Sequence, residues 1–77
     1  MKLSEYLLAI AIREIENIPK GREFLVNDLY KKADWDLIPL EIRMELGREL
    51  NKYYSNLTIS VVKALGKIDG VQQYKKL

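Results

Sequence analysis

Apolar residues near the start of the chain recur every three or four positions. This spacing places them on one side of an α-helix. Ser4 is a residue type that caps helix N-termini, and Pro19 and Gly21 are types that end helices. The sequence therefore predicts a first helix from a Ser4 N-cap to just before Pro19. The residues that define its buried side are Leu8, Ala11, Ile12, Ile15 and Ile18.

A short apolar run, residues 24–26, comes after the turn. It is too brief for a helix and predicts a strand. Asn27 and Asp28 follow it and can cap a new helix. We therefore expect a second helix from Asp28 to about Ala33, with Trp35 in the next connection filling the gap between helices.

A third helix is predicted from Pro39 to about Tyr54. Proline is favoured at the first helical position, where its missing amide proton is not needed. Ile42, Leu46 and Leu50 recur at helical spacing and predict the buried side. Gly47 lowers helix propensity, and we expect it to allow another backbone to come close.

β-Branched residues dominate after Asn56, and polar and apolar positions begin to alternate, so residues 58–62 favour a strand. Asp69-Gly70 is typical of a type I′ hairpin turn. A looser loop from Gly66 to Gly70 is the alternative, and it would shift the pairing and could exchange the two faces. The pairs expected for the tight turn are Ile68 with Val71, Leu65 with Tyr74 and Lys63 with Lys76.

The order of these elements predicts the fold class. Helix, short strand, short helix, longer helix and hairpin is the order of a winged helix-turn-helix. The sequence thus predicts an α+β winged helix-turn-helix with three helices, a short strand and a C-terminal β-hairpin. Its 77 residues are expected to form a single domain, residues 1–77.

Composition argues against most chemistry. The chain has no cysteine and no histidine, so it lacks thiolate ligands, disulfides and the commonest proton carrier at neutral pH. The acidic pairs at 14/16 and 34/36 have no metal-ligand spacing and no nucleophile beside them. We expect no catalytic residue, no metal, no cofactor and no enzyme activity.

The longest apolar stretch, residues 7–12, is far shorter than a membrane span, and the opening segment carries too many charges for a signal peptide. We expect a cytoplasmic protein with no membrane partner.

The net charge of +2 is concentrated near the end of the chain, where residues 57–77 carry four basic side chains and one acidic one. Cations on the third helix and the hairpin favour duplex DNA, because basic side chains contact phosphates and arginine or asparagine can read base edges. The same charges could instead be solvated or paired along the helix. The candidate DNA-binding residues are Arg43, Arg48, Asn51, Lys52, Lys63, Lys67, Lys75 and Lys76.

The first helix has apolar residues beyond its core-facing side. Tyr6 and Ile10 lie round this flank and are candidates for a homodimer or protein interface. The alternative function is therefore a protein–protein interaction adaptor, or a phage-encoded inhibitor of a host protein, built on the same fold.

A set of residues spread over residues 20 to 77 forms a recognisable pattern: Phe24, Asp28-Leu29, Trp35, Ile38-Pro39, Arg43, Leu46-Gly47-Arg48 and Tyr74-Lys75-Lys76. In this pattern the chain resembles a family of small uncharacterised bacterial and prophage proteins with a winged-helix-like pattern and no assigned function. This resemblance implies the same fold and supplies no catalytic residue. Together with the charges, it leads us to expect a small winged-helix DNA-binding protein, a regulator or accessory factor of a bacterial or phage element.

Overall fold

The computed structural model describes residues 2–77 as an α+β fold with three α-helices and a three-stranded antiparallel sheet. This confirms the predicted fold class at the level of its elements. One turn of 3₁₀-helix follows the first strand. The elements are α1 (Leu3–Glu16), β1 (Glu23–Leu25), the 3₁₀ turn (Val26–Leu29), α2 (Lys32–Asp36), α3 (Leu40–Ser55), β2 (Val62–Ile68) and β3 (Val71–Lys76).

The C-terminal hairpin is joined to the rest of the fold through β3, the middle strand of the sheet. The strand order is β1-β3-β2, with both pairs antiparallel. Phe24 of β1 lies opposite Tyr74 of β3, and their ring centroids are 5.9 Å apart. Both side chains are buried, so they mark the face of the sheet that packs on the helices.

The core lies between that sheet face and the two long helices, α1 and α3, which pack against each other. Small and branched residues of α1 meet leucines of α3 there. The buried residues are Leu7, Ala11, Ile15, Phe24, Val26, Leu29, Trp35, Ile38, Leu46, Leu50 and Tyr74. No helix within residues 2–77 has the length and apolar character needed to cross a membrane.

Helix α1 forms as predicted, but its N-cap is Lys2 and the prediction of Ser4 is wrong. The Glu5 carboxylate accepts a hydrogen bond from the Lys2 amide at 3.3 Å, which starts the helix before Ser4. Ser4 is buried inside the helix, and its hydroxyl donates to Glu45 of α3 at 3.0 Å. The serine therefore joins two helices and does not cap one.

The second helix was predicted at the wrong place. The Asp28 carboxylate accepts a hydrogen bond from the Leu25 amide at 2.8 Å, which closes a short 3₁₀ turn in place of an α-helix. Tyr30 then takes an extended backbone, so α2 begins only at Lys32. Trp35 lies inside α2, so its prediction in a connection is wrong, but it is buried in the core as expected.

The tight hairpin turn is confirmed. Asp69 and Gly70 both have positive φ, 51° and 80°, as a type I′ turn requires, and Ile68 pairs with Val71. The prediction of a strand over residues 58–62 is wrong except for its last residue, since β2 begins at Val62 and residues 58–60 are exposed.

A β-bulge at Leu65 changes the register further from the turn. Ala64 lies opposite Tyr74, and Lys63 lies opposite Lys75, so the pairs predicted for Leu65 and Lys63 are wrong. The extra residue on β2 is accommodated next to Gly66, whose φ of +106° favours glycine.

Candidate functional site

A groove separates α3 from the tip of the hairpin. We call it the α3–hairpin groove; its cavity volume is about 380 Å³. Trp35 and Val26 lie on its walls. The polar and glycine residues that line it are Arg43, Gly47, Arg48 and Asn51 from α3 and Lys67, Asp69, Gly70 and Gln72 from the hairpin.

Gly47 has a different role from the predicted one. A Cβ atom placed on it would meet no atom within 4 Å, so no backbone packs closely against this position. Gly47 instead lines the groove, and because it has no side chain it leaves the groove open at that point of α3. The prediction of close packing is therefore wrong.

Arg43 is held against the wall of the groove. Its guanidinium lies 4.9 Å from the Trp35 ring centroid, and its Nη2 donates to the Trp35 carbonyl oxygen at 2.8 Å. The Trp35 ring also stacks on Tyr30, with centroids 5.7 Å apart. Arg43 thus supplies a fixed positive charge beside the groove.

Arg48, Asn51 and Lys52 are exposed on α3. Arg48 and Asn51 line the groove, whereas Lys52 lies beyond its lining. Oδ1 of Asn51 accepts a hydrogen bond from the hydroxyl of Tyr74, which belongs to the core. Burial raises the pKa of Tyr74 to about 12, so this hydroxyl stays protonated and can donate even in alkaline solution where a free tyrosine ionises.

The predicted hairpin lysines do not share one face. Lys67 lies opposite Gln72 near the turn, and both line the groove. Lys63 and Lys75 lie opposite each other, one position out of phase with Tyr74, so they belong to the outer face of the sheet.

Lys76 is buried, and its prediction as a DNA contact is wrong. It follows Tyr74 by two positions and therefore points to the helix side of the sheet. Its Nζ donates to the Ile15 carbonyl oxygen, at the C-terminal end of α1, at 2.6 Å. The ammonium group completes the end of a helix and is not available to a ligand.

The candidate interface residues of α1 differ in exposure. Tyr6 is 56% exposed, with Leu3 exposed beside it one turn earlier, whereas Ile10 is half-buried. The apolar flank predicted for this helix is therefore present at its N-terminal half.

Sequence reasoning missed two features of the groove. The first is Gln72. Its place in the groove could have been predicted, because the Asp69-Gly70 turn puts it opposite Lys67, on the turn side of the bulge. Its Nε2 donates to two backbone carbonyls of the hairpin, those of Gly66 and Gln73.

The second missed feature is an exposed apolar patch at the start of α3, formed by Leu37, Leu40 and Met44, of which Leu40 and Met44 line the groove. This patch could have been predicted in part, because Leu40, Met44 and Arg48 recur every four residues and so lie on one outward side of α3. Within residues 2–77, no group of three or more acidic side chains is arranged to hold a metal ion.

Comparison with solved structures places this fold beside a known one. A structure described as "SCCmec type IV LP1413 - nucleic acids binding protein" superposes with a TM-score of 0.75 at 23% sequence identity. The superposition covers 100% of this chain and 89% of that one, so the two proteins share the fold along almost their whole length.

Sequence comparison adds the family. No curated protein matches the chain. A family model, described as a domain of unknown function (DUF1413), matches residues 9–76. The match runs from the middle of α1 to the end of β3 and includes every residue that lines the α3–hairpin groove. The chain therefore belongs to the DUF1413 family, whose function is unassigned, as the sequence resemblance had implied.

Proposed function

We propose that this protein is a small winged-helix protein that binds duplex DNA through the α3–hairpin groove. The observation that carries the proposal is the convergence of Arg48 and Asn51 from α3 with Lys67 from the hairpin on one groove. These residues come from elements distant in sequence, and each offers a hydrogen-bond donor that phosphates or base edges accept.

The topology supports the winged-helix part of the proposal. The hairpin β2–β3 pairs back onto the short strand β1, and α2 and α3 follow that strand along the chain. In such folds the third helix enters the major groove, and the hairpin is a wing that contacts the backbone beside it. The α3–hairpin groove lies between these two elements.

The contacts can be assigned by reach and chemistry. Arg48 and Asn51 lie on the exposed side of α3, where they would meet base edges. Lys67 and Lys52 would contact phosphates on either side. Arg43 is held on Trp35 and would add positive potential without leaving its position.

The structural neighbour described as a nucleic acids binding protein favours this function for the shared fold. We further propose that the protein acts in the cytoplasm as a regulator or accessory factor of a bacterial or phage element. In this role it needs no cofactor and catalyses no reaction.

The test is fluorescence anisotropy of a labelled duplex across a salt series. The two phosphate contacts of Lys67 and Lys52 predict a slope of about −2 for log affinity against log salt. Arg48→Gln should weaken binding, whereas Lys63→Gln, on the outer face of the sheet, is the matched control and should leave it within about twofold. Absence of binding to the duplex at low salt would reject the proposal, and tighter binding to the separated strands would reject its duplex part.

A second candidate is a protein interface on α1, used by a second copy of this chain. It is favoured by the exposure of Leu3 and Tyr6 at adjacent turns, 48% and 56%. Light scattering after gel filtration tests it. A dimer that Tyr6→Glu converts to monomer would support this function, and a wild-type monomer at high concentration would exclude it.

A further inference from the structure

The side-chain amide of Asn51 is oriented by the core. Tyr74 is 2% exposed, and its hydroxyl donates to Oδ1 of Asn51. Asn51 itself is exposed and lines the α3–hairpin groove. Because Oδ1 and Nδ2 branch from the same carbon, an amide whose oxygen is bound to the core directs its nitrogen away from it. The group that Asn51 offers to a ligand is therefore the Nδ2 donor.

This orientation matters because asparagine needs both atoms to read adenine. In that pairing Oδ1 accepts from adenine N6 while Nδ2 donates to N7. If the amide turns so that Oδ1 faces adenine, Nδ2 takes its place beside Tyr74, and the buried hydroxyl proton of Tyr74 loses its acceptor, which is unfavourable. Guanine presents two acceptors in the major groove, N7 and O6, and requires donors alone.

Arg48 adds to the same preference. It lies three residues before Asn51, so the two side chains are neighbours on one side of α3. A guanidinium has donors and no acceptor. The exposed part of α3 beside the groove thus presents two adjacent donor groups.

We propose that Tyr74 is a positioning residue that fixes Asn51 as a hydrogen-bond donor, so that the α3–hairpin groove prefers guanine to adenine in a duplex. The inference rests on the proposed function and names the bases that the site would read. Asn51 and Arg48 would touch the bases, and Tyr74 acts only through Asn51.

The experiment compares duplexes of equal length with alternating G·C or alternating A·T pairs, by fluorescence anisotropy at one low salt concentration. Wild-type protein should prefer the G·C duplex on the order of tenfold. A third duplex, with 7-deazaguanine in place of guanine, lacks the N7 acceptor but keeps its base pairing. Affinity for it should fall most of the way to that for the A·T duplex.

The variant Tyr74→Phe removes the hydroxyl and leaves Asn51 free to turn. The preference for G·C should then decrease, with Arg48 maintaining part of it, while affinity for the A·T duplex holds or rises. Tyr53→Phe, on the exposed part of α3, is the matched control and should keep the wild-type ratio. A general loss of stability would lower both affinities together and would not change their ratio.

The outcomes separate this inference from the proposed function. Failure to bind any duplex would overturn both. Binding with equal affinity for G·C and A·T, or a ratio unchanged in Tyr74→Phe, would overturn the inference alone. Should Tyr74→Phe not fold, the side-chain amide NMR signals of wild-type Asn51 decide. They should shift on adding the G·C duplex and much less with the 7-deazaguanine duplex, and equal shifts would overturn the inference.

Discussion

The two faces of the hairpin β2–β3 use the same residue type in different ways. On the face toward the helices, Lys76 is buried and donates to the Ile15 carbonyl, and Lys67 lies in the groove. On the outer face, Lys63 and Lys75 lie opposite each other in solvent. The role of each lysine thus depends on the face of the sheet to which it points. Successive side chains of a strand point to opposite faces, and the register decides which residues lie opposite each other.

The bulge at Leu65 determines which lysines meet across the strands. Without it, Lys63 would lie opposite Lys76, on the face of the core. With it, Lys63 lies opposite Lys75, and Val62, which packs against the core, lies opposite Lys76. One extra residue therefore keeps a second ammonium group off the face of the sheet that packs on the helices.

The largest expected effect comes from removing the buried lysine. Lys76→Ala should lower the free energy of unfolding by about 1.5 to 3 kcal/mol, because it deletes a hydrogen bond from a charged donor at the C-terminal end of α1. Urea denaturation measures the change.

The matched control for Lys76 is the residue before it, Lys75. Lys75→Ala should change stability by less than about 0.5 kcal/mol, since it removes an exposed side chain that lies between a like charge, Lys63, and an opposite charge, Glu23. Equal effects of the two substitutions would contradict the assignment of the two faces.

A second effect is the pH dependence of the free energy of unfolding, to which Tyr30, Tyr54 and Tyr74 contribute. Burial is the main cause that raises the pKa of Tyr54 and Tyr74 to about 12, and burial also raises the pKa of Tyr30. In the unfolded chain they ionise near the ordinary value of about 10. Below pH 10 the free energy of unfolding is not reduced by these tyrosines. Between about pH 10 and pH 12 it falls, because the tyrosines of the unfolded chain release their protons while those of the folded chain do not.

Urea denaturation from about pH 8 to pH 11 should therefore show a decline that begins near pH 10. Tyr74→Phe should reduce the slope of the decline. A slope unchanged by this substitution would mean that the Tyr74 hydroxyl is not protected by the fold.

The third effect sharpens the contrast in binding. Lys67→Ala should weaken duplex affinity by about fivefold at low salt and reduce the salt slope by about 1, because it removes one phosphate contact. Lys63→Ala removes the same charge from the outer face and should change affinity by less than about twofold. If both variants bind equally weakly, the outer face takes part in binding and the groove is not the whole site.

Much of the fold could be predicted because its signals are local and repeated. The apolar spacing in α1 and α3 and the Asp69-Gly70 turn each specify their element without help from the rest of the chain. The displaced second helix could not be predicted, because Asp28 bonds to the Leu25 amide and closes a 3₁₀ turn where a helix cap was equally consistent with the sequence.

The candidate site was predictable in part, for a related reason. The helical spacing identifies Arg48 and Asn51 as outward, and a tight turn places Lys67 near the tip. The burial of Lys76 follows from its place two residues after Tyr74 on β3 and from its hydrogen bond to the distant Ile15 carbonyl, which composition does not indicate. The hydrogen bond between Tyr74 and Asn51 joins residues far apart in sequence and follows only from the packing of β3 on α3.

The smallest expected effect is at Gly47, across the groove from the hairpin. Because a Cβ atom there would meet nothing within 4 Å, Gly47→Ala should raise the free energy of unfolding by about 0.5 to 1 kcal/mol through helix propensity alone. Thermal unfolding measures this gain. The added methyl group projects into the lining of the groove, so duplex affinity should fall while stability rises. Affinity that rises with stability would show that the bound duplex does not approach α3 at this position.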